Sequence, residues 1–317
     1  MRDAMEANCS ALREAVANCI GASLPQADPP RDPRAFFNSA ACRPLKAEVI
    51  RSGYKLWERQ YVEGNGGNLS ARISPRHVLC TPTMLSKADV GERDLCLVNL
   101  DNERIEGHLR QTSEIRLHLE IYKALPHARA VIHCHPPHAT AYAVAGLIPQ
   151  GNLLPEQEVF VGSPAISPYE TPGTQAFAET VLPYVRTHNA ILLTHHGVVC
   201  WADTPTHAEW YVEILETYCR TIMLARQLTP NLTEFAPAKV AELLQMKKGL
   251  GLPDERFGEA PSPALAAAPA EDLVFADLLQ GQDGRPLFAA PEEVERLTES
   301  IVARVREFIR ESLVERQ

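Results

Sequence analysis

The stretch AVIHCHPPHATA, residues 130–141, constrains this chain more tightly than any other. An apolar run leads into His133 and His135, two residues apart. On a β-strand, side chains alternate between faces, so Val131, His133 and His135 share one face while Cys134 points to the other. By strand rise the two histidine backbones are about 7 Å apart, close enough for both imidazoles to converge on one ion. A second apolar run, AILLTHHGVVCW (190–201), offers a third nitrogen from His195 or His196. His196 is the better candidate, because Gly197 beside it lets the backbone turn close to the site. Three neutral imidazoles with an open position suit a catalytic divalent ion, Zn²⁺ first and another divalent metal as the alternative. They do not suit a closed structural site.

The remaining chain divides by composition. Residues 1–42 form an N-terminal extension containing the Pro-rich SLPQADPPRDPRAFF, and residues 43–256 alternate helix-like and strand-like patterns as one catalytic body. Residues 257–290, around PSPALAAAPAED, are a Pro/Ala-rich linker. In 291–317, apolar residues at Val294, Leu297, Ile301, Val305 and Phe308 describe an amphipathic helix entered through Pro291.

Within the body, RPLKAEVIRSGYKLWERQ and TPTHAEWYVEILETYCRTIMLARQL read as helices, and TSEIRLHLEIYKAL as a well-capped one. NLSARIS, HVLCTPT, DLCLVNLDNERIEG, ARAVIHCH and AILLTHHGVVCWA read as strands and turns. The fold class is therefore α/β, a mixed central sheet flanked by helices.

Charge and composition exclude several functions. With 31 basic and 40 acidic residues the net charge is −9, which argues against nucleic-acid binding. No apolar run reaches the roughly 20 residues of a membrane span, and the N-terminus, interrupted by Asp3, Glu6, Arg13 and Glu14, does not read as a secretory signal. Eight cysteines without a CxxC pair point to free thiols in a reducing cytoplasm.

Two further segments carry chemistry. VEGNGGNLSAR (62–72) matches neither a dinucleotide fingerprint nor a Walker loop. It does offer backbone amides at Gly66, Gly67 and Asn68, together with one side-chain amide, to an anion such as a phosphate monoester. In RQTSEIRLH, Thr112 or Ser113 can cap the following helix, whose N-terminal amides also favour an anion. Glu114, in that first turn, either complements the helix dipole or acts as a general base beside the metal.

GGNLSAR, LCTPTML, TSEIRLHLEIY, VIHCHPPHATA, SPYETPGT and LLTHHG follow one another in the order found in the class II aldolase/adducin family. From about residue 45 to 230 the chain resembles the L-fuculose-phosphate aldolase branch of that family. The resemblance implies an aldolase/adducin-like α/β sandwich, a homotetramer with sites near subunit boundaries, and Zn²⁺ on His133, His135 and His196. It implies Glu114 as the catalytic acid/base and a phosphate site drawn from Gly67, Asn68, Thr83, Thr112 and Ser113. The implied reaction is retro-aldol cleavage of L-fuculose 1-phosphate, or a related ketose 1-phosphate, to dihydroxyacetone phosphate and an aldehyde such as L-lactaldehyde.

Two positions depart from that pattern. Met84 stands where such aldolases tend to have glycine. Glu158, in PEQEVFVG (155–162), stands where they carry a proton-donating tyrosine, so it is a second catalytic candidate; its other reading is an ordinary strand-edge acid. Glu158 opens the alternatives of a 4-epimerase, dehydratase or decarboxylase on a phosphorylated sugar. A non-catalytic adducin-like scaffold is the alternative from another class, disfavoured because all three histidines are present. The C-terminal helix resembles peptides that carry enzymes into bacterial microcompartments, so the expected location is cytoplasmic, with docking to a microcompartment shell as a further expectation. An ordinary helix packed on its own tetramer is the other reading.

Overall fold

The computed structural model describes residues 32–257; most of the N-terminal extension (1–31), the Pro/Ala-rich linker from residue 258 and the helix expected over 291–317 lie outside the described residues. A short helix α1 (Pro33–Phe37) is capped by Asp32, whose Oδ1 accepts the amides of Arg34 and Ala35. Phe37 is buried in the main core, so the packed body reaches back into the segment read from sequence as an extension.

Helix α2 (Arg43–Glu58) buries Lys46, Val49, Ser52, Gly53 and Leu56, the stripe that a 3.6-residue repeat presents to a sheet. The strands follow as β1 (Asn68–Ser74), β2 (His77–Cys80), β3 (Cys96–Asn99) and β4 (Arg104–Glu106), then β5 (Ala130–Cys134) after helix α3 (Ile115–Ala124). Helix α4 (Pro137–Ala145), strand β6 (Ala165–Ser167) and helix α5 (Gln175–Glu179) lead to the hairpin β7 (Ala190–Leu193) and β8 (Gly197–Ala202). The long helix α6 (Pro205–Leu228) and α7 (Pro237–Gly249) complete the described chain.

The eight strands form one sheet in the order β4-β3-β2-β1-β5-β8-β7-β6, antiparallel except for the β6–β7 pair. The mixed sheet expected from the sequence is thus present. Strand β5 lies at its centre and is buried along its whole length. Its alternation divides two cores. Ala130, Ile132 and Cys134 pack with Val49 and Leu56 of α2 and Ala208, Val212 and Leu215 of α6. Val131 faces the opposite layer, with Ile115, Leu119 and Tyr122 of α3 and Phe177 of α5. Each fully buried aliphatic side chain in these layers contributes about 1.5–3 kcal/mol. Cys134 therefore points away from the face that carries Val131, as strand period requires.

Helix α6 starts at Thr204, whose Oγ1 accepts the His207 amide at 3.0 Å, and Pro205 occupies the first position, where a missing N–H costs nothing. Two local expectations change. Helix α3 has no side-chain N-cap; Glu114 occupies the cap position, and Thr112 Oγ1 instead accepts the Glu114 amide at 3.4 Å. Glu158, weighed as a strand-edge acid, lies instead in a π-helical turn, Gln157–Val161, ended by Gly162 at φ 74°, a backbone conformation glycine adopts without strain. Among the described residues, no helix is long and apolar enough to cross a membrane.

Candidate metal centre and its carboxylate

His133, next to last in strand β5, has its ring fully buried, and its Nδ1 faces the Val198 carbonyl on the neighbouring strand at 2.9 Å. A carbonyl only accepts, so Nδ1 carries the hydrogen and Nε2 presents a lone pair. Burial, with His135 and His196 nearby, pushes the His133 pKa well down and keeps the ring neutral. His135 follows the strand; its amide donates to Tyr61 O at 2.8 Å, and its Nδ1 lies 2.8 Å from Glu63 Oε1. In the neutral ring that carboxylate holds the hydrogen on Nδ1 and leaves Nε2 bare.

His196 comes from the three-residue turn Thr194–His196 that joins β7 to β8, where Leu193 opposes Gly197. The turn is made by His195 at φ 56°, the left-handed conformation that histidine tolerates better than bulkier residues. His195 itself is exposed and takes no part in the cluster. Gly197 is required here for space. A Cβ at this position would collide with the Cys134 carbonyl and come within 2.7 Å of His135 Cδ2.

The ligand-capable nitrogens of His133, His135 and His196 all lie within 4.8 Å of one another, and the Nε2 atoms of His133 and His135 are 3.1 Å apart. With their Nδ1 atoms engaged elsewhere, both Nε2 atoms face one point, where a divalent cation can accept both. The donor set and its geometry fit a catalytic metal with an open position.

Glu114, 8% exposed, projects from the start of α3 into the same point. Its Oε2 is 3.2 Å from His133 Nε2 and its Oε1 is 3.4 Å from His196 Nε2. Glu114 is thus brought to the histidines. Glu158 makes its contacts elsewhere: it is buried, with Oε1 accepting the Asn152 amide at 2.7 Å and Oε2 paired with Arg256 at 2.9 Å. Arg256 also holds Asp254, which pairs with the buried Lys247 of α7. Among the described residues no hydrogen bond or ion pair links Glu158 to the histidines.

The expected anion-binding segments do converge beside Glu114. Thr81 Oγ1 accepts the Leu69 amide, Thr112 N donates to Thr81 O, and Thr83 N donates to Arg110 O. The TPT and TSE segments therefore run side by side against the glycine-rich loop. Gly67 at φ 66° passes so close to Val62 that a side chain there would collide with it. Ser113 is exposed and Thr83 half-buried. The Asn68 side chain, however, is taken at both ends, donating to Glu114 Oε2 at 2.9 Å and facing His118 at 2.6 Å. Met84, in glycine's place, is at φ 58° and 79% exposed, an uncommon conformation for a long side chain.

The sequence reading missed Glu63, His118 and Lys87. Lys87 is buried and donates to Leu85 O and Asn65 O at 2.7 and 3.3 Å, and burial lowers its pKa to about 8. His118 carried a usable signal, one helical turn after Glu114 on the same face. Glu63 had none, since its contact with His135 spans 72 residues.

Comparison with known proteins agrees with this geometry. Residues 47–223 match the family model of the class II aldolase and adducin N-terminal domain. The chain is 35% identical over 170 residues to an L-fuculose phosphate aldolase of Methanococcus vannielii, covering 53% of this chain and 90% of that protein. It is 30% identical over 158 residues to a 3-oxo-tetronate 4-phosphate decarboxylase of Haemophilus influenzae, covering 49% of this chain and 75% of that one. In structure it resembles an L-fuculose 1-phosphate aldolase with a TM-score of 0.60 at 24% identity, over 65% of this chain and 96% of the other, a likeness of fold.

Proposed function

The chain belongs to the class II aldolase and adducin N-terminal domain family, and from that premise we propose that it is a metal-dependent lyase acting on a phosphorylated sugar. The observation that carries the reading is the position of Glu114, whose two oxygens lie 3.2 and 3.4 Å from the Nε2 atoms of two of three clustered histidines. His133, His135 and His196 would hold the ion, with Zn²⁺ the proposed metal. When bound, such an ion supplies Lewis-acid stabilisation of developing oxyanion charge. Glu114 accepts and returns the proton, and Gly67, Thr83, Thr112 and Ser113 line the approach for the phosphate.

The proposed reaction is cleavage of L-fuculose 1-phosphate, or a related ketose 1-phosphate, to dihydroxyacetone phosphate and an aldehyde. The second reading, decarboxylation of a phosphorylated 3-oxo acid, is supported by the likeness to the Haemophilus protein. Both reactions break a carbon–carbon bond and leave the electron pair beside a carbonyl, so one electrophilic site suits either. The epimerase, dehydratase and decarboxylase readings all began from Glu158, whose engagement with Arg256 and Asn152 supports none of them, so the decarboxylase keeps only the support of that likeness. A non-catalytic scaffold has no use for three ligand histidines with a carboxylate among them.

A homotetramer is part of this reading, supported by the exposed aromatic residues Tyr54 and Trp57 on α2 and Trp210 on α6. The segment 291–317 is proposed to dock to a microcompartment shell; deleting residues 262–317 is then expected to leave tetramer and activity intact, and loss of the tetramer would count against docking. The main test is a substrate screen on metal-loaded protein with separate assays for dihydroxyacetone phosphate, aldehyde and carbon dioxide. Aldehyde release supports the aldolase, carbon dioxide release from a 3-oxo acid phosphate replaces it with the decarboxylase, and inactivity on all of them sinks both. Glu114→Gln is expected to keep the metal and lower turnover by about 10²-fold or more.

A further inference from the structure

The first turns of α3 and the start of β1 interlock in a seam the proposed reaction does not by itself require. Glu114, His118 and Tyr122 are spaced by four and lie on one helical face, while Asn68 and Ser70 are spaced by two on one face of the strand. They alternate across the seam. Asn68 Nδ2 meets Glu114 Oε2 at 2.9 Å, and His118 Nε2 meets Asn68 Oδ1 at 2.6 Å. Ser70 Oγ meets His118 Nδ1 at 2.6 Å and Tyr122 OH at 2.9 Å. All four partners of Glu114 in this chain are buried.

Hydrogen-bonding capacity fixes the direction of every link. Asn68 Nδ2 donates to Glu114 Oε2, which leaves the amide oxygen facing His118. That oxygen only accepts, so His118 donates from Nε2. Burial lowers the His118 pKa to about 3, so the ring is neutral and Nδ1 is an acceptor. Ser70 spends its one hydrogen on Nδ1, which leaves Tyr122 to donate to Ser70. Burial also raises the Tyr122 pKa, so that hydrogen stays in place.

We propose that His118 is a positioning residue, the hub of a one-way hydrogen-bond chain from Tyr122 that pins Glu114 by Oε2 and leaves Oε1 to carry the proton. Oε1 receives no hydrogen bond from the described residues, whereas Oε2 is held by an amide that cannot rotate without breaking the His118 link. Chains polarised in one direction strengthen each member, and a buried carboxylate so held loses little freedom at the moment of reaction. The catalytic part of this inference rests on the reading of Glu114 as the proton carrier; the tautomer of His118 does not.

Neutron diffraction of deuterium-exchanged, zinc-loaded full-length protein tests the tautomer directly. Deuterium on His118 Nε2, none on Nδ1, and the Asn68 ND₂ group toward Glu114 are expected; deuterium on Nδ1 or a reversed Asn68 amide overturns the chain. The kinetic test compares His118→Phe with His118→Gln on whichever substrate turns over. Gln can place an amide N–H where Nε2 stands. His118→Phe is expected to lower kcat by about 10- to 100-fold with KM within about twofold and zinc content unchanged, and His118→Gln to recover most of the loss. Equal losses in both variants, or a loss confined to KM, would overturn positioning. If Glu114→Gln retains full turnover while the deuterium pattern holds, the proton-carrier reading fails and the hydrogen-bond chain stands.

Discussion

The Nε2 atoms of His133 and His135 stand 3.1 Å apart, and their Nδ1 atoms are engaged by the Val198 carbonyl and the Glu63 carboxylate. The two Nε2 atoms therefore face one point, where a divalent ion can accept both. About one zinc per chain is expected, lost in His135→Ala. Saturating zinc at 100 times its Kd is expected to stabilise the wild type by about 2.7 kcal/mol, read as a rise in Tm that the variant lacks. An unchanged metal content in His135→Ala would remove that residue from the ligand set.

Gly197→Ala sets a Cβ against the Cys134 carbonyl and the His135 ring. Neither β5 nor the ring can retreat without disturbing the cluster. We expect a loss of about 1–3 kcal/mol in urea unfolding and weaker zinc binding in competition with a chelator. Normal zinc affinity would mean that the turn can shift without moving His135.

The contacts of Glu158 separate a structural from a catalytic role. Arg256→Met leaves Glu158 buried and without its cation, at a cost of about 3–5 kcal/mol. Zinc content is expected to stay unchanged. Glu158→Gln, which keeps the volume, is expected to retain turnover; a loss of about 10²-fold with an intact fold would return Glu158 to the chemistry.

His118 makes stability depend on pH. Its folded pKa is depressed to about 3 by burial, while the unfolded residue titrates near 6.5. The unfolded chain therefore binds a proton that the native chain refuses. The resulting stability is fully present above about pH 6.5 and declines as pH falls toward about 3, by at most about 1.4 kcal/mol per pH unit. Urea midpoints of the metal-free protein over that range are expected to fall less steeply in His118→Gln. Parallel slopes would show that His118 does not titrate on unfolding.

Much of this site was legible locally. The pairing of His133 with His135 was read from strand period, and the glycine after His196 marked the turn that brings the third ring to them. Period also sent Cys134 into the opposite core. Glu158 was weighed as a strand-edge acid, whereas it sits in a turn that Gln157 closes through its side chain to Gly162 O. Asn68 was read as an anion donor because a glycine-rich loop advertises free amides. Its partners, 46 and 50 residues away, become visible only when α3 lies against β1.

By itself the sequence determined the α/β architecture, the identity of the three histidines and the presence of a carboxylate near the helix start. Those features depend on periodicities of two and 3.6 and on residue chemistry, which act over a few residues. Tertiary structure alone decided that Glu114 meets the histidines, that Glu158 is bound to Arg256, and that Asn68 and His118 hold the carboxylate. Each of these is a contact between segments far apart in the chain. The contacts of Glu114 exist only once β1, α3 and β5 come together, and the Glu158 pair only once the chain after α7 reaches the 157–161 turn.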